Sequence, residues 1–179
     1  MTEEFDLTDR NTIFDRFPRG GIGAEVGVGT GGFSAVILLR AKPSLLYLVD
    51  CWELQSVEVY GNDPANSRHD EKYLGVLKRF LPDERVHVVK AFSTTVAEMM
   101  PAEYFDWVYL DANHLRCRED IDAWLPRVKS GGYLMGHDYC AEGEFFPVKR
   151  DVDQWIAETG LTLLVTDDPV YKNWVVRKP

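Results

Sequence analysis

The sequence predicts an α/β fold, a doubly wound and mostly parallel sheet with helices on both faces and an antiparallel strand at its C-terminal end. Three observations carry this. Short apolar runs that stop at a loop alternate with longer segments of helical period. A glycine-rich loop closes the first apolar run and opens a helix. Two β-rich runs joined by turn-forming residues follow the last helix.

Taken in order, Ile13, Phe14 and Phe17 suit a short helix that packs on the sheet and stops at Pro18 and Gly20-Gly21. Residues 1–20 thus read as a helical N-terminal extension of a single domain over 1–179, with no chemistry assigned to it. The first strand is expected at Ile22 to Val28 and the helix after it at Phe33 to Arg40, then a strand at Leu45 to Asp50. Residues 53–70, and Gln55 to Arg68 in particular, form a long polar stretch with Gly61, Asn62, Asp63, Pro64 and Asn66. It reads as a lid or acceptor loop over the strand ends, or as a plain surface loop. Tyr73, Val76, Leu77, Phe80 and Leu81 make one apolar helical face. A strand at Val86 to Ala91 follows, then a helix for which Thr95 and Glu98 have capping-box spacing. Trp107 to Asp111 and Tyr133 to Gly136 are the next strands, separated by the helical face Ile121, Trp124, Leu125 and Val128. Val148, Val152, Trp155 and Ile156 mark the last helix. Leu161 to Val165 and Tyr171 to Val176 flank the turn Asp167-Asp168-Pro169 as an antiparallel pair.

The chain has 179 residues, enough for one core but not for a separate substrate domain. Twenty basic against 29 acidic residues give a net charge of −9, so a nucleic acid would meet net repulsion and no basic patch offsets it. A small-molecule partner is expected instead. No apolar run approaches a membrane span, and the start MTEEFDLTDR lacks signal-peptide order, which predicts a cytoplasmic protein without membrane partners. Cys51, Cys117 and Cys140 form neither a disulfide framework nor a zinc motif. A homo-oligomer remains open.

The strongest motif is the loop from Glu25 to Ser34. Gly27, Gly29 and Gly32 satisfy a dinucleotide pattern as well as any other nucleotide loop. Glu25 argues for one ligand over another: a carboxylate there repels a pyrophosphate but attracts the sulfonium and amino groups of S-adenosylmethionine. Asp50, ending the second strand, is placed to accept ribose hydroxyls. Cys51-Trp52 and Phe92-Ser93 either enclose an adenine or are buried packing.

With these residues, EVGVGTGGFS, LVDCWE, KAFS, YLDANH, DAWLPRVKSGGYLMGHDY and NWVVRK together, the chain resembles the class I S-adenosylmethionine-dependent methyltransferases. It is most similar to the small O-methyltransferase-like group that includes macrocin-type enzymes. The resemblance implies a Rossmann-like sheet of seven strands whose last strand is antiparallel, and transfer of a methyl group to an oxygen of a small acceptor. It also implies that Glu25, Gly27 and Gly29 surround the methionine part of the donor, and that Gly31 and Ser34 of the same loop belong to the donor site. Asp50 would hold the ribose, and Cys51, Trp52, Phe92 and Ser93 the adenine.

Methyl transfer is an in-line displacement, so the chain must position the acceptor and remove its proton. Asp111, His114, His137 and Asp138 lie at the ends of the fourth and fifth predicted strands. Asp111, which also faces the donor, could join His137 and Asp138 in holding Mg²⁺ or another divalent cation as a Lewis acid. Alternatively, His114 or His137 is a general base without a metal. Metal-using relatives resembling catechol O-methyltransferase carry an aspartate at the Asp111 position and two acidic or amide residues where His137-Asp138 stand. The group usually has a tyrosine where this chain has Arg116. Two other readings stand beside the methyltransferase: a small NAD(P)-dependent oxidoreductase and a non-catalytic nucleoside-binding domain.

Overall fold

The computed structural model describes residue 10 and residues 13–16, 19–53, 66–140, 147–168 and 171–179. Seven strands form one sheet: β1 (Ile22–Val26), β2 (Leu45–Asp50), β3 (Val86–Lys90), β4 (Phe105–Leu110), β5 (Val128–Tyr139), β6 (Leu163–Val165) and β7 (Lys172–Arg177). Their spatial order is β3-β2-β1-β4-β5-β7-β6. All neighbours pair in parallel except β7, which is antiparallel to both β5 and β6. The doubly wound sheet with an antiparallel last strand is therefore as the sequence predicts.

Alternation along the strands builds two cores. Ala24 and Val26 of β1, Val108 and Leu110 of β4, Leu134 of β5 and Trp174 and Val176 of β7 face one side. There they meet α3 (Ser93–Met99), α4 (Cys117–Trp124) and α5 (Val148–Thr159) through Val96, Ile121, Trp124, Val152 and Trp155. Leu46 and Leu48, Trp107 and Tyr109, Met135 and Val175 face the other side. They meet α1 (Gly32–Arg40) and α2 (His69–Phe80) through Ile37, Val76 and Phe80. Period-2 strands between period-3.6 helix faces are what a sheet covered on both sides requires.

Several boundaries differ from the sequence reading. The Gly27 amide makes the last ladder bond of β1, to the Val49 carbonyl at 2.8 Å, and the left-handed conformation of Gly27 (φ 95°) ends the strand there. α3 starts at Ser93 rather than after Thr95: Phe92 is extended and accepts from the Val96 amide at 3.1 Å, so Thr95 lies inside the helix. β5 runs twelve residues, well beyond Tyr133 to Gly136. In the N-terminal extension, Ile13 to Arg16 make a 3₁₀ turn whose Ile13 and Phe14 are fully buried, with Phe14 edge-on to Trp107 at 4.8 Å. Phe17 and Pro18, most of the 53–70 loop and Pro169 of the terminal turn lie outside the described residues. No helix among the described residues is long and apolar enough to cross a membrane.

Candidate active site

A cavity of about 1140 Å³ opens where β1 to β5 end, the crevice in which open α/β sheets hold ligands. One flank is the glycine loop and the ends of β2 and β3; the other is the ends of β4 and β5. Glu25, Gly27, Gly29, Asp50, Cys51, Trp52, Phe92, Ser93, Asp111, His114 and Asp138 all line it. Gly31, Ser34 and His137 do not.

The glycine loop is held from two sides. The Val28 and Gly29 amides both donate to Asp50 Oδ2 at 2.9 Å, and the Trp52 amide donates to Asp50 Oδ1 at 2.8 Å. Asp50 is thus first a clamp on the loop, and any ribose must share its oxygens. At Gly27 a Cβ would lie 2.0 Å from the Asp111 carbonyl oxygen, so only glycine lets β1 pass this close to the end of β4. Gly31 serves packing instead: a Cβ there would meet the Phe80 ring of α2 at 2.5 Å.

Glu25 is 1% exposed, and Ser34 of α1 donates to its Oε2 at 2.5 Å. Ser34 therefore stands behind Glu25, away from the cavity. Burial pushes the Glu25 carboxyl up to about 8, against the lowering effect of that hydrogen bond. At neutral pH it is a neutral acid, so it does not repel anions in the way its residue type suggested. Trp52 resolves toward packing: it is 2% exposed, lies against Tyr73 at 4.9 Å and donates from Nε1 to the Gly29 carbonyl at 2.9 Å. Phe92, by contrast, is 58% exposed at the rim and free to stack. The Ser93 hydroxyl donates to Asp120 at 2.5 Å and accepts from Trp124 Nε1 at 2.8 Å.

At the other flank, β5 bulges against β7. Gly136 pairs with Trp174 and Tyr139 with Lys172, so His137 and Asp138 together stand opposite Asn173 alone. Asp138 adopts φ 57° there. The extra residue re-aims the side chains and gives Asp138 both imidazoles: His114 Nε2 lies 2.7 Å from Oδ2 and His137 Nδ1 lies 3.0 Å from Oδ1. Asp111 Oδ1 is 3.6 Å from His114 and 3.7 Å from His137. Burial alone would lower both histidines, but their hydrogen bonds to Asp111 and Asp138 raise each to about 9. The same contacts outweigh burial on the carboxylates and hold Asp111 and Asp138 below the usual range. At neutral pH, then, both histidines are imidazolium and both aspartates ionised.

Among the cavity residues that sequence reasoning missed are Arg10, Asp120 and Tyr171. Arg10 donates to Asp111 Oδ2, places Nη1 3.4 Å from His137 Nδ1 and lies 4.0 Å over the Phe33 ring. No motif marks it. Asp120 is 4% exposed, and burial raises it to about 6 although Ser93 hydrogen-bonds to it. It occupies an ordinary helix position, and the sequence signal is absent. Tyr171 stands half-exposed just before β7, its ring 6.2 Å from that of His137.

The oxygen and nitrogen atoms that converge as a ligand set belong to Asp111, His114 and Asp138, all within 4.8 Å of one another, with His114 in place of the expected His137. Such a set suits a hard divalent ion. It fits one poorly here, because the Arg10 guanidinium already sits on Asp111 and both imidazoles carry protons an ion would have to displace.

The sequence profile of a family described as a methyltransferase domain matches residues 24–139, from β1 to the end of β5. No curated protein matches the chain. Among solved structures, the fold is similar to that of an S-adenosylmethionine-dependent methyltransferase from Aquifex aeolicus, with a TM-score of 0.66 and 16% identity over 100% of this chain and 94% of that one. It is similar to precorrin-6y C5,15-methyltransferase from Geobacter metallireducens, with a TM-score of 0.66 and 14% identity over 94% of this chain and 85% of that one. A protein from Corynebacterium glutamicum gives a TM-score of 0.67 and 16% identity, covering 94% of this chain and 77% of that one. At these identities the likeness is one of fold.

Proposed function

Because the chain belongs to the methyltransferase-domain family, for which S-adenosylmethionine is the implied donor, we propose that it transfers a methyl group to an oxygen of a small-molecule acceptor. The observation that supports this is the single cavity in which the Glu25/Asp50 flank and the Asp111/His114/Asp138 flank face each other.

S-adenosylmethionine, when bound, supplies an electrophilic methyl whose sulfur leaves as a neutral thioether. Glu25 lies at the end of β1, where the donor's amino group would meet it, and that cation would draw the carboxyl into its ionised form. The acceptor hydroxyl would lie beside His114. As the carbon–oxygen bond forms and the carbon–sulfur bond breaks, the hydroxyl proton passes to His114 in the minority of molecules whose imidazole is neutral, a fraction that grows as pH rises toward 9, and Asp138, 2.7 Å away, holds the resulting imidazolium. His137 orients Asp138 from its other oxygen. Arg10 competes with a metal ion for Asp111, so the proton transfer relies on His114 and Asp138.

The test is calorimetric titration with S-adenosylhomocysteine, followed by turnover of S-adenosylmethionine against hydroxylated and aminated small molecules. Binding with methylation at oxygen supports the reading. Failure to bind overturns the donor site, and methylation only at nitrogen or carbon overturns the acceptor.

A further inference from the structure

We infer that Arg10 is the resident cation of the acceptor flank, occupying on Asp111 the position for which a divalent ion would compete and offering its remaining N–H edge to the acceptor oxygen. The inference rests on the reading of this cavity as a methyl-transfer site.

Three features fix the guanidinium. It is ion-paired to Asp111 Oδ2. It lies 4.0 Å over the Phe33 ring and 5.5 Å from that of Tyr109, distances at which a cation is attracted by an aromatic face. Three and four residues further on, Ile13 and Phe14 are fully buried in the α1/α2 core, which ties this part of the chain to the sheet. The arginine is therefore held by charge, stacking and a nearby anchor, rather than resting on the surface as most arginines do.

The position it holds is a cation site by its surroundings. Asp111 and Asp138 offer carboxylate oxygens, and the ligand atoms of Asp111, His114 and Asp138 converge within 4.8 Å. Arg10 takes Asp111 Oδ2 and leaves Oδ1 facing His114 and His137, so a divalent ion brought to Oδ1 would be repelled by a guanidinium a few ångströms away. Metal and Arg10 thus compete for Asp111. One donor is left over: Arg10 Nε is buried and has no hydrogen-bond partner among the described residues. A buried orphaned donor is costly, but it is the exposed part of the side chain, 27% of it, that lines the cavity and can meet an acceptor oxygen. A guanidinium presents several N–H groups in one plane, so one edge can hold Asp111 while another receives the acceptor.

Mn²⁺ is the probe. Its affinity is measured by paramagnetic resonance on the full chain for the wild type, Arg10→Gln, Arg10→Lys and Arg10→Gln/Asp111→Asn, with thermal unfolding of each recorded alongside. Arg10→Gln should bind Mn²⁺ at least tenfold more tightly than the wild type. Arg10→Lys, which keeps the charge, should stay near the wild type and guards against an effect of misfolding. Adding Asp111→Asn should abolish the gain. Equal Mn²⁺ affinity in the wild type and Arg10→Gln overturns the inference. So does the absence of Mn²⁺ binding in Arg10→Gln, because the carboxylates would then form no cation site for Arg10 to fill. S-adenosylhomocysteine titration of the wild type separates the two readings: failure there refutes the donor site, while the Mn²⁺ comparison still decides Arg10.

Discussion

Glu25 should release a proton when the donor binds. Its carboxyl is raised to about 8 by burial, so about nine-tenths of the ligand-free protein carries that proton at pH 7. A ligand ammonium placed beside it would lower the value by roughly two units, leaving about a tenth protonated. Binding at pH 7 should then expel ~0.8 proton, and affinity should tighten by nearly tenfold per pH unit around pH 7, approaching a total of about 2.7 kcal/mol from well below pH 6 to well above pH 8. Calorimetry with S-adenosylhomocysteine, which keeps the amino group, reads this directly when run in phosphate and in Tris, whose ionisation enthalpies differ. Glu25→Gln should remove the buffer dependence and weaken binding by about 1.5–3 kcal/mol, as expected for a hydrogen bond to a charged group. In the ligand-free protein the folded value lies above the unfolded one. The contribution of Glu25 to stability is therefore full below pH 4.5 and lost as pH rises through 8, a loss that Glu25→Gln should not show. Identical apparent enthalpies in the two buffers, with an affinity flat from pH 6 to 8, would refute the reasoning.

Further outcomes follow from the same geometry. If His114 is the base, kcat should rise with pH and level near 9. His114→Ala should lower kcat by about 10²- to 10⁴-fold and flatten that limb, whereas a limb that survives with the same midpoint would assign the base elsewhere. Gly27→Ala places a Cβ 2.0 Å from the Asp111 carbonyl at φ 95° and should cost about 3 kcal/mol or more, read as a fall of at least ~6 °C in Tm. Gly29→Ala, with φ 56° and open space around the Cβ, should cost only about 1 kcal/mol, so equal losses would show that the close approach is not what Gly27 serves. Ser93→Ala removes the hydroxyl shared by Asp120 and Trp124 and should cost about 1–3 kcal/mol in urea unfolding.

The sheet was legible because its signals are local and repeated. The short apolar runs of β1, β2 and β4, helical periodicity around Val76 and Trp124 and the terminal hairpin each appear within a dozen residues of sequence. Glu25, Asp50 and Asp111 were legible at the site because a strand end fixes where a side chain points. Less legible was what depends on contacts between distant segments. Thr95 has a cap's spacing, but the extended Phe92 begins the helix earlier. Ser34 and Gly31 belong to the glycine loop by sequence, yet one supports Glu25 from behind and the other makes room for Phe80. Trp52 and Phe92 were equivalent as aromatic residues; only the folded chain separates the buried indole from the exposed ring. Arg10 is separated from its partner Asp111 by 101 positions, and no pattern of neighbours encodes such a pair.

The bulge that seats Asp138 has a consequence for when the site comes into being. Its register is set against β7, the strand made after every other member of the sheet. The donor flank lies on β1, β2, β3 and the loops after them, and leans on β4 and α4 through Gly27 against Asp111 and Ser93 against Asp120 and Trp124. Asp138 reaches its place between His114 and His137 only once residues 172–177 have been threaded between β5 and β6. Damage to β7 should therefore leave His114 without Asp138 in place and silence turnover while leaving much of the donor flank standing.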